Sequence, residues 1–263
     1  MSAAPTARPA PPPRSWIVPA GLIAFLGITV WAIGEVGLDP LAIIAGLSGA
    51  DRIVSALLAP NWDFLGNTVQ PMLETFQMAV IASAIGCGIA LPLAFVASRV
   101  TTPNRVAYAL DRSILNVVRA IPDILYALIF VSAVSVGPLG GILALVLFNI
   151  GVVAKLLSET VDGVDTGPIE AARAAGANRT QTVGTAVLPQ VMPNYIAYAL
   201  YTFELNIRAS TVIGIVGAGG IGYLLDTQRK FFAYSNVSVI VIELFVFVFL
   251  IELISISLRR RLV

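Results

Sequence analysis

Charged side chains are few in this chain, so those that fall inside apolar stretches are the first candidates for chemistry. Arg208, Ser210 and Thr211 stand together in RAST and lead into Gly217, Gly219, Gly220 and Gly222. A guanidinium beside hydroxyls suits a tetrahedral oxyanion, because its planar fork donates charge-assisted hydrogen bonds. Glu204 lies four residues before Arg208, acid on the N-terminal side. That spacing favours a structural ion pair, with substrate contact as the other reading. Arg119 and Asp123 share the separation across Pro122, which predicts a pair that stabilises a kink and leaves a second pathway contact as the alternative. A charge at the bilayer centre costs about 2.5 kcal/mol or more unless it is paired or meets water, so each must be accommodated. Glu243 and Glu252 fall on opposite faces of a helix, which argues against one shared ion site.

Other chemistries are excluded by residue type. The chain contains no histidine, and its single cysteine, Cys87, sits in AIGCGIA as a small packing residue. Histidine-based catalysis, zinc binding and an intrachain disulfide therefore drop out, and no metal site is expected. Gly217, Gly219 and Gly222 satisfy G-x-G-x-x-G, with Glu243 about 20 residues beyond, as a dinucleotide-binding turn requires. Such a turn needs a soluble βαβ unit around it, whereas hydrophobic stretches flank this one. Two readings stand for the glycines: a non-helical or re-entrant segment whose amides line an anion path, or tight helix packing alone.

The elements that must position these groups are membrane helices. Hydrophobic residues make up 57% and charged residues 12%, with mean hydropathy +0.89, so the solvent of this chain is a lipid bilayer. A net charge of +1 gives no concentrated basic face, and no nucleic-acid partner is expected. The fold class is all-α, a polytopic bundle of about six spans with five as the alternative: Trp16–Gly34, Met72–Ala97, Ser113–Val136, Leu139–Leu157, Val191–Leu205 and Tyr234–Leu258. Residues 1–15 are proline-rich and read as a disordered cytoplasmic tail; residues 16–67 read as the first span and an acidic extracytoplasmic loop carrying Glu35, Asp39, Asp51 and Asp63. A cytoplasmic N-terminus places Arg8, Arg14, Arg99, Arg105, Arg112, Lys155, Arg173, Arg179, Arg259, Arg260 and Arg261 on the inner side, with both termini cytoplasmic.

Between two spans lies a polar loop, residues 166–189, containing EAARAAGANRTQTVGTAVLP from Glu170. Gly167 is expected as N-cap, Pro168 suits the first helical position, and Glu170 can reach back to the capping amide. Ala171, Ala172, Ala174 and Ala175 keep the helix slim, and Gly176 offers a left-handed stop. Asn178 or Thr180 can cap a second short helix, and Leu188-Pro189 marks entry to the next span.

Glu170-Ala171-Ala172, Gly176 and Leu188-Pro189 at this spacing resemble the EAA loop of ABC-importer permeases, although Ala186 stands where isoleucine is usual. With RAIPDILYALIFV from Arg119, GPLGGILAL from Gly137, the long run from Leu188 to Gly222 and the terminal LRRRL, residues 68–263 resemble the phosphonate-importer permease, or PhnE, family. The resemblance implies the type I, MetI-like permease fold, placed in a bacterial inner membrane. It also implies two copies of the chain, two ABC ATPase subunits that bind ATP and Mg2+, and an extracytoplasmic phosphonate-binding protein; related members handle phosphite or similar oxyanions. No G-x-x-x-x-G-K-[ST] cradle is present in this sequence, so a non-catalytic translocation subunit without its own cofactor is expected. A self-sufficient secondary transporter or anion channel would equally account for broken helices and buried charges, but leaves the loop unexplained.

Overall fold

A computed structural model describes residues 16–260, and every regular element among them is helical. The proline-rich tail, with Arg8 and Arg14, and Arg261 lie outside the described residues.

The first unit, residues 1–52, contains α1, Ile17–Val36, a helix of 20 residues and about 30 Å, long enough to cross a bilayer. Its side chains are exposed nearly throughout, the surface expected of a helix solvated by lipid. Gly37, at φ 65°, ends it in the left-handed conformation. The acidic stretch 35–67 is not simply a loop: Pro40–Leu58 forms α2, and Trp62–Phe64 a single 3₁₀ turn. Its alanine, leucine and isoleucine spacing supports a helix, and of the four acids of the stretch only Asp51 falls within it.

The second unit, residues 53–263, is the helical bundle. Its elements are α3 (Leu65–Val96), α4 (Arg105–Ala120), α5 (Asp123–Val134), α6 (Pro138–Asp162), the short α7 (Thr166–Ala174) and α8 (Arg179–Thr182), then α9 (Leu188–Ile213), α10 (Gly220–Lys230) and α11 (Tyr234–Arg259). α1, the α3 segment from Trp62, α6 and α11 are each long and apolar enough to span a membrane; counting the bent pairs α4–α5 and α9–α10 as one span each makes six.

The third span is broken, not merely kinked. Ile121 is extended, the conformation forced on a residue that precedes proline, and α4 meets α5 at 88°. Contacts with α6 nevertheless order the two pieces along a single path: Arg112 reaches Asp162, Val118 and Arg119 lie against Gly151, and Val131 lies against Gly140. The pair thus climbs antiparallel to α6 from its last turn to its first. The expected Arg119–Asp123 ion pair does not form among the described residues, because an i,i+4 contact requires a continuous helix. Asp123 instead accepts a hydrogen bond from the amide of Ile124 at 2.9 Å in the first turn of α5.

Polar groups deep in the bundle join its central helices. Asn149 of α6 donates to the carbonyl of Ala82 at 3.0 Å, and Asn206 of α9 donates to Ser83 Oγ at 2.8 Å. Both asparagines are fully buried. Gly86 makes room for the first contact, since a Cβ there would stand 2.5 Å from Asn149 Cβ. Cys87 is a buried free thiol, 3.6 Å from Thr202 Oγ1, in keeping with a packing role.

The fifth span breaks at a π-helical turn, Gly214–Ala218, and α10 departs at 58°. A Cβ on Gly222 would lie 2.0 Å from the carbonyl oxygen of Thr211, backbone on both sides. Gly222→Ala should therefore destabilise the chain by about 1–3 kcal/mol. Gly88→Ala, which meets open space, should match the parent within about 0.5 kcal/mol or exceed it. Apparent melting temperatures in one detergent distinguish the two outcomes.

Candidate coupling loop and translocation segment

The polar loop folds as two short helices tied back onto the bundle. Asp165, not Gly167, is the N-cap of α7: its carboxylate accepts from the amide of Gly167 at 3.0 Å. The reason is chemical, since aspartate supplies the acceptor that glycine lacks. Glu170 consequently falls beyond the position from which a capping-box acid reaches back, and its side chain stays exposed. Gly176 closes the helix as expected, at φ +84°, with the amide of Ala177 donating to the carbonyl of Ala172 at 3.0 Å. Asn178 then caps α8 in a reciprocal box with Gln181, their bonds 2.9 and 2.8 Å long.

One face of α7 is anchored and the other is open. Ile169, only 3% exposed, packs in a cluster with Leu115, Leu157, Val161, Val187 and Val191, and Ala172 rests on its edge. Glu170, Ala171, Ala174, Ala175 and Gly176 face outward. Leu188 and Pro189 open α9, half-buried and exposed respectively.

Two anchoring residues escaped the sequence reading. Gln190, in the first turn of α9, accepts from the amide of Asp165 at 3.0 Å and donates to the carbonyls of Asp165 and Ala186 at 3.3 and 2.6 Å. Asp162, the last residue of α6, accepts from Ser98 Oγ at 2.7 Å and the Arg99 amide at 2.8 Å, and pairs with Arg112 at 3.4 Å. No local spacing announces their tertiary partners, which lie 25 to 64 positions away.

In the fifth span the expected Glu204–Arg208 ion pair is present as a close contact. It belongs to a larger network: Arg208 also approaches Glu252 at 3.7 Å, and Arg259 reaches Glu204 at 3.3 Å, both from α11. Ser210, fully buried, donates to the carbonyl of Ile207 at 2.8 Å, and Thr211 donates to the same oxygen at 3.3 Å. The three residues of RAST therefore do not converge on one cradle.

The glycines serve both the turn and the packing. Gly217, Gly219 and Gly220 have φ of +94°, +81° and +68°. The Gly217 carbonyl accepts from the amide of Gly137 at 2.9 Å, and the Ile221 amide donates to Thr75 Oγ1 at 2.8 Å. A Cβ on Gly220 would meet that hydroxyl at 2.5 Å, and one on Gly219 would meet the Glu74 carboxylate at 2.9 Å. Arg119 is exposed, its aliphatic stem against Gly151 about halfway along α6, and no carboxylate lies within ion-pair range of it among the described residues.

Residues 90–263 match the family described as "Binding-protein-dependent transport system inner membrane component". The chain belongs to that family. As such a component it is a membrane-embedded permease subunit of a transport system, and its all-α bundle has the ABC-importer permease fold. It is 37% identical to the phosphite transport system permease protein PtxC of Stutzerimonas stutzeri, over 94% of this chain and 90% of that protein. It is 38% identical to the phosphate-import permease protein PhnE of Mycolicibacterium smegmatis over 96% of its own length, spanning 48% of that longer protein. Among solved structures, the inward-facing MetNI methionine ABC transporter superposes with a TM-score of 0.68 at 24% identity, over 77% of this chain and 99% of the other.

Glu204→Gln should lower the melting temperature, leaving Arg208 with only the distant Glu252 and Arg259 with no carboxylate in range among the described residues. The expected loss is about 2 kcal/mol, less than for a fully buried pair because Arg208 is half exposed. Arg119→Gln, which removes no observed ion pair, should leave the melting temperature unchanged.

Proposed function

We propose that this chain is the membrane-spanning, non-catalytic subunit of an ATP-driven importer of phosphonate or a related phosphorus oxyanion such as phosphite or phosphate. Support for the substrate class comes from the relatives named above and from Arg119, an exposed cation within a span that is suited to an oxyanion. In this reading the working unit holds two copies of the chain and two ABC ATPase subunits that bind ATP and Mg2+. An extracytoplasmic binding protein delivers the substrate. The inner membrane encloses the bundle, with both termini and the coupling loop cytoplasmic, an orientation supported by Arg99, Arg105, Arg112, Arg173 and Arg179 at one end of the bundle.

The observation that carries the reading is α7 itself, rigidly anchored on one side and bare on the other. Its small outward residues, Ala171, Ala174 and Ala175, let another protein approach the helix backbone closely. Motion applied to α7 passes through Ile169 and the Asp165–Gln190 bonds into the first turn of α9, and through Asp162 into α3 and α4. α9 ends at the glycine break, so the displacement arrives where the span can bend. A secondary transporter gives this open face no partner.

Within the membrane, Arg119 is the better substrate contact and Arg208 the structural residue. Arg208 is neutralised by two carboxylates, whereas an unpaired guanidinium halfway along a span must meet water or substrate to be tolerated. Ser210, Thr211, Gly217, Gly219, Gly220 and Gly222 then shape the hinge of the pathway and make no direct substrate contact.

The test is uptake and ATP hydrolysis in vesicles that hold the chain with its ATPase and binding protein. Gly176→Trp should abolish phosphite or phosphonate uptake while hydrolysis continues, because an L side chain is strained at φ +84° and its bulk fills the open face. Normal uptake by that variant would refute the coupling role. Arg119→Gln should reduce uptake at least about tenfold at unchanged melting temperature.

A further inference from the structure

Beside the coupling loop, on the side away from its open face, lies a cavity of about 200 Å3. Its lining includes Arg99 from the α3–α4 connection, Arg173 from α7 and Arg179 from α8, with the hydroxyl residues Thr101 and Thr182 and the apolar side chain of Ile169. The three arginines come from three separate elements, and none has an ion-pair partner among the described residues.

All three are exposed side chains at the cavity's rim, and local structure sets where each stands along the chain. Arg99 donates from Nε to the Tyr108 hydroxyl at 3.0 Å and stacks on that ring, which leaves its terminal nitrogens free to donate elsewhere. Arg173 occupies the last turn of α7, fixed by the glycine stop at Gly176. Arg179 is the first residue of α8, directly after the Asn178 capping box. Two carboxylates stand nearby: Asp162 attracts Arg99 but does not line the cavity, and neither forms an ion pair with the three arginines among the described residues. Asp162 is taken up by Ser98, the Arg99 amide and Arg112, and Glu170 is on the exposed face of α7.

Three like charges around one partly apolar hollow repel each other unless an anion joins them. Guanidinium forks match a tetrahedral oxyanion, hydroxyls can complete its shell, and the neighbouring apolar wall strengthens the attraction. We infer that this cavity binds a phosphate-class oxyanion and that the bound anion bridges the coupling loop to the α3–α4 connection. Because Arg173 and Arg179 move with the coupling loop while Arg99 belongs to the bundle, occupancy restrains the loop against the bundle. Binding itself does not depend on the transport reading; only its effect on coupling rests on that reading. The anion has two sources of the same chemistry, free inorganic phosphate or phosphite in the cytoplasm and the headgroup phosphate of an anionic lipid.

The test uses the full chain in nanodiscs of phosphatidylcholine, titrated with inorganic phosphate by calorimetry. Saturable binding is expected, weakened about tenfold or more in Arg179→Gln and in Arg173→Gln. Melting temperatures and retention of the ATPase subunit show whether each variant is still folded and whether α7 still docks, so failure of the coupling reading is seen separately. Replacing part of the lipid by phosphatidylglycerol separates the sources. Loss of phosphate affinity in those discs, restored in neutral ones, identifies the headgroup as the occupant; unchanged affinity identifies the free ion. The proposal is overturned if neither phosphate nor phosphatidylglycerol binds, or if Arg173→Gln and Arg179→Gln both leave the binding unchanged. It is also overturned if binding disappears whenever the ATPase subunit is attached, since the arginines would then serve acidic groups of that protein.

Discussion

The attachment of α7 to the bundle is the constraint on which the rest of this molecule depends. A helix of 9 residues is too short to be stable alone in water. It exists because Ile169 is buried in the main cluster and because Gln190 closes the loop by bonding both the amide and the carbonyl of Asp165. In the proposed coupling role those same bonds make the loop a lever: a partner pressing on Glu170 and its neighbours would displace the start of α9 and the ends of α3, α4 and α6 as well as the loop.

A second constraint follows from the solvent. Bilayer hydrocarbon offers no hydrogen bonds, so polar groups inside the spans must find partners in the protein or face water. The amide nitrogens of Asn149 and Asn206 meet this by bonding α3, and Glu204 by gathering Arg208 and Arg259. These contacts join α3, α6, α9 and α11, and the bends occur elsewhere, at Pro122 and at the glycine run. Arg119 has no carboxylate in range among the described residues, whereas Arg208 has two, although both are arginines in broken spans.

The two breaks have different causes. Proline sets the first by denying Ile121 a helical conformation. Glycine sets the second in two ways: Gly217, Gly219 and Gly220 take positive φ, while Gly222 has no side chain where α10 crosses the Thr211 carbonyl. Non-helical backbone and close packing thus both occur, at different residues of the run.

Much of this was legible in the amino-acid order, because it rests on local rules. Apolar length determined the six candidate spans, Pro122 located the first break, Gly176 the end of α7, Asn178 the cap of α8, and the i,i+4 spacing the Glu204–Arg208 pair. Local rules also misled where a competing neighbour was better placed: Asp165 displaced Gly167 as cap, the break at Pro122 separated Arg119 from Asp123, and α2 formed within a stretch judged by its acids. Only the tertiary structure decided that Glu252 and Arg259 would join Arg208 and Glu204, that Gln190 would clasp Asp165, and that Arg99, Arg173 and Arg179 would meet around one cavity. Such encounters depend on how whole helices stack, and no period of 3.6 residues encodes which distant side chain will arrive at a given depth.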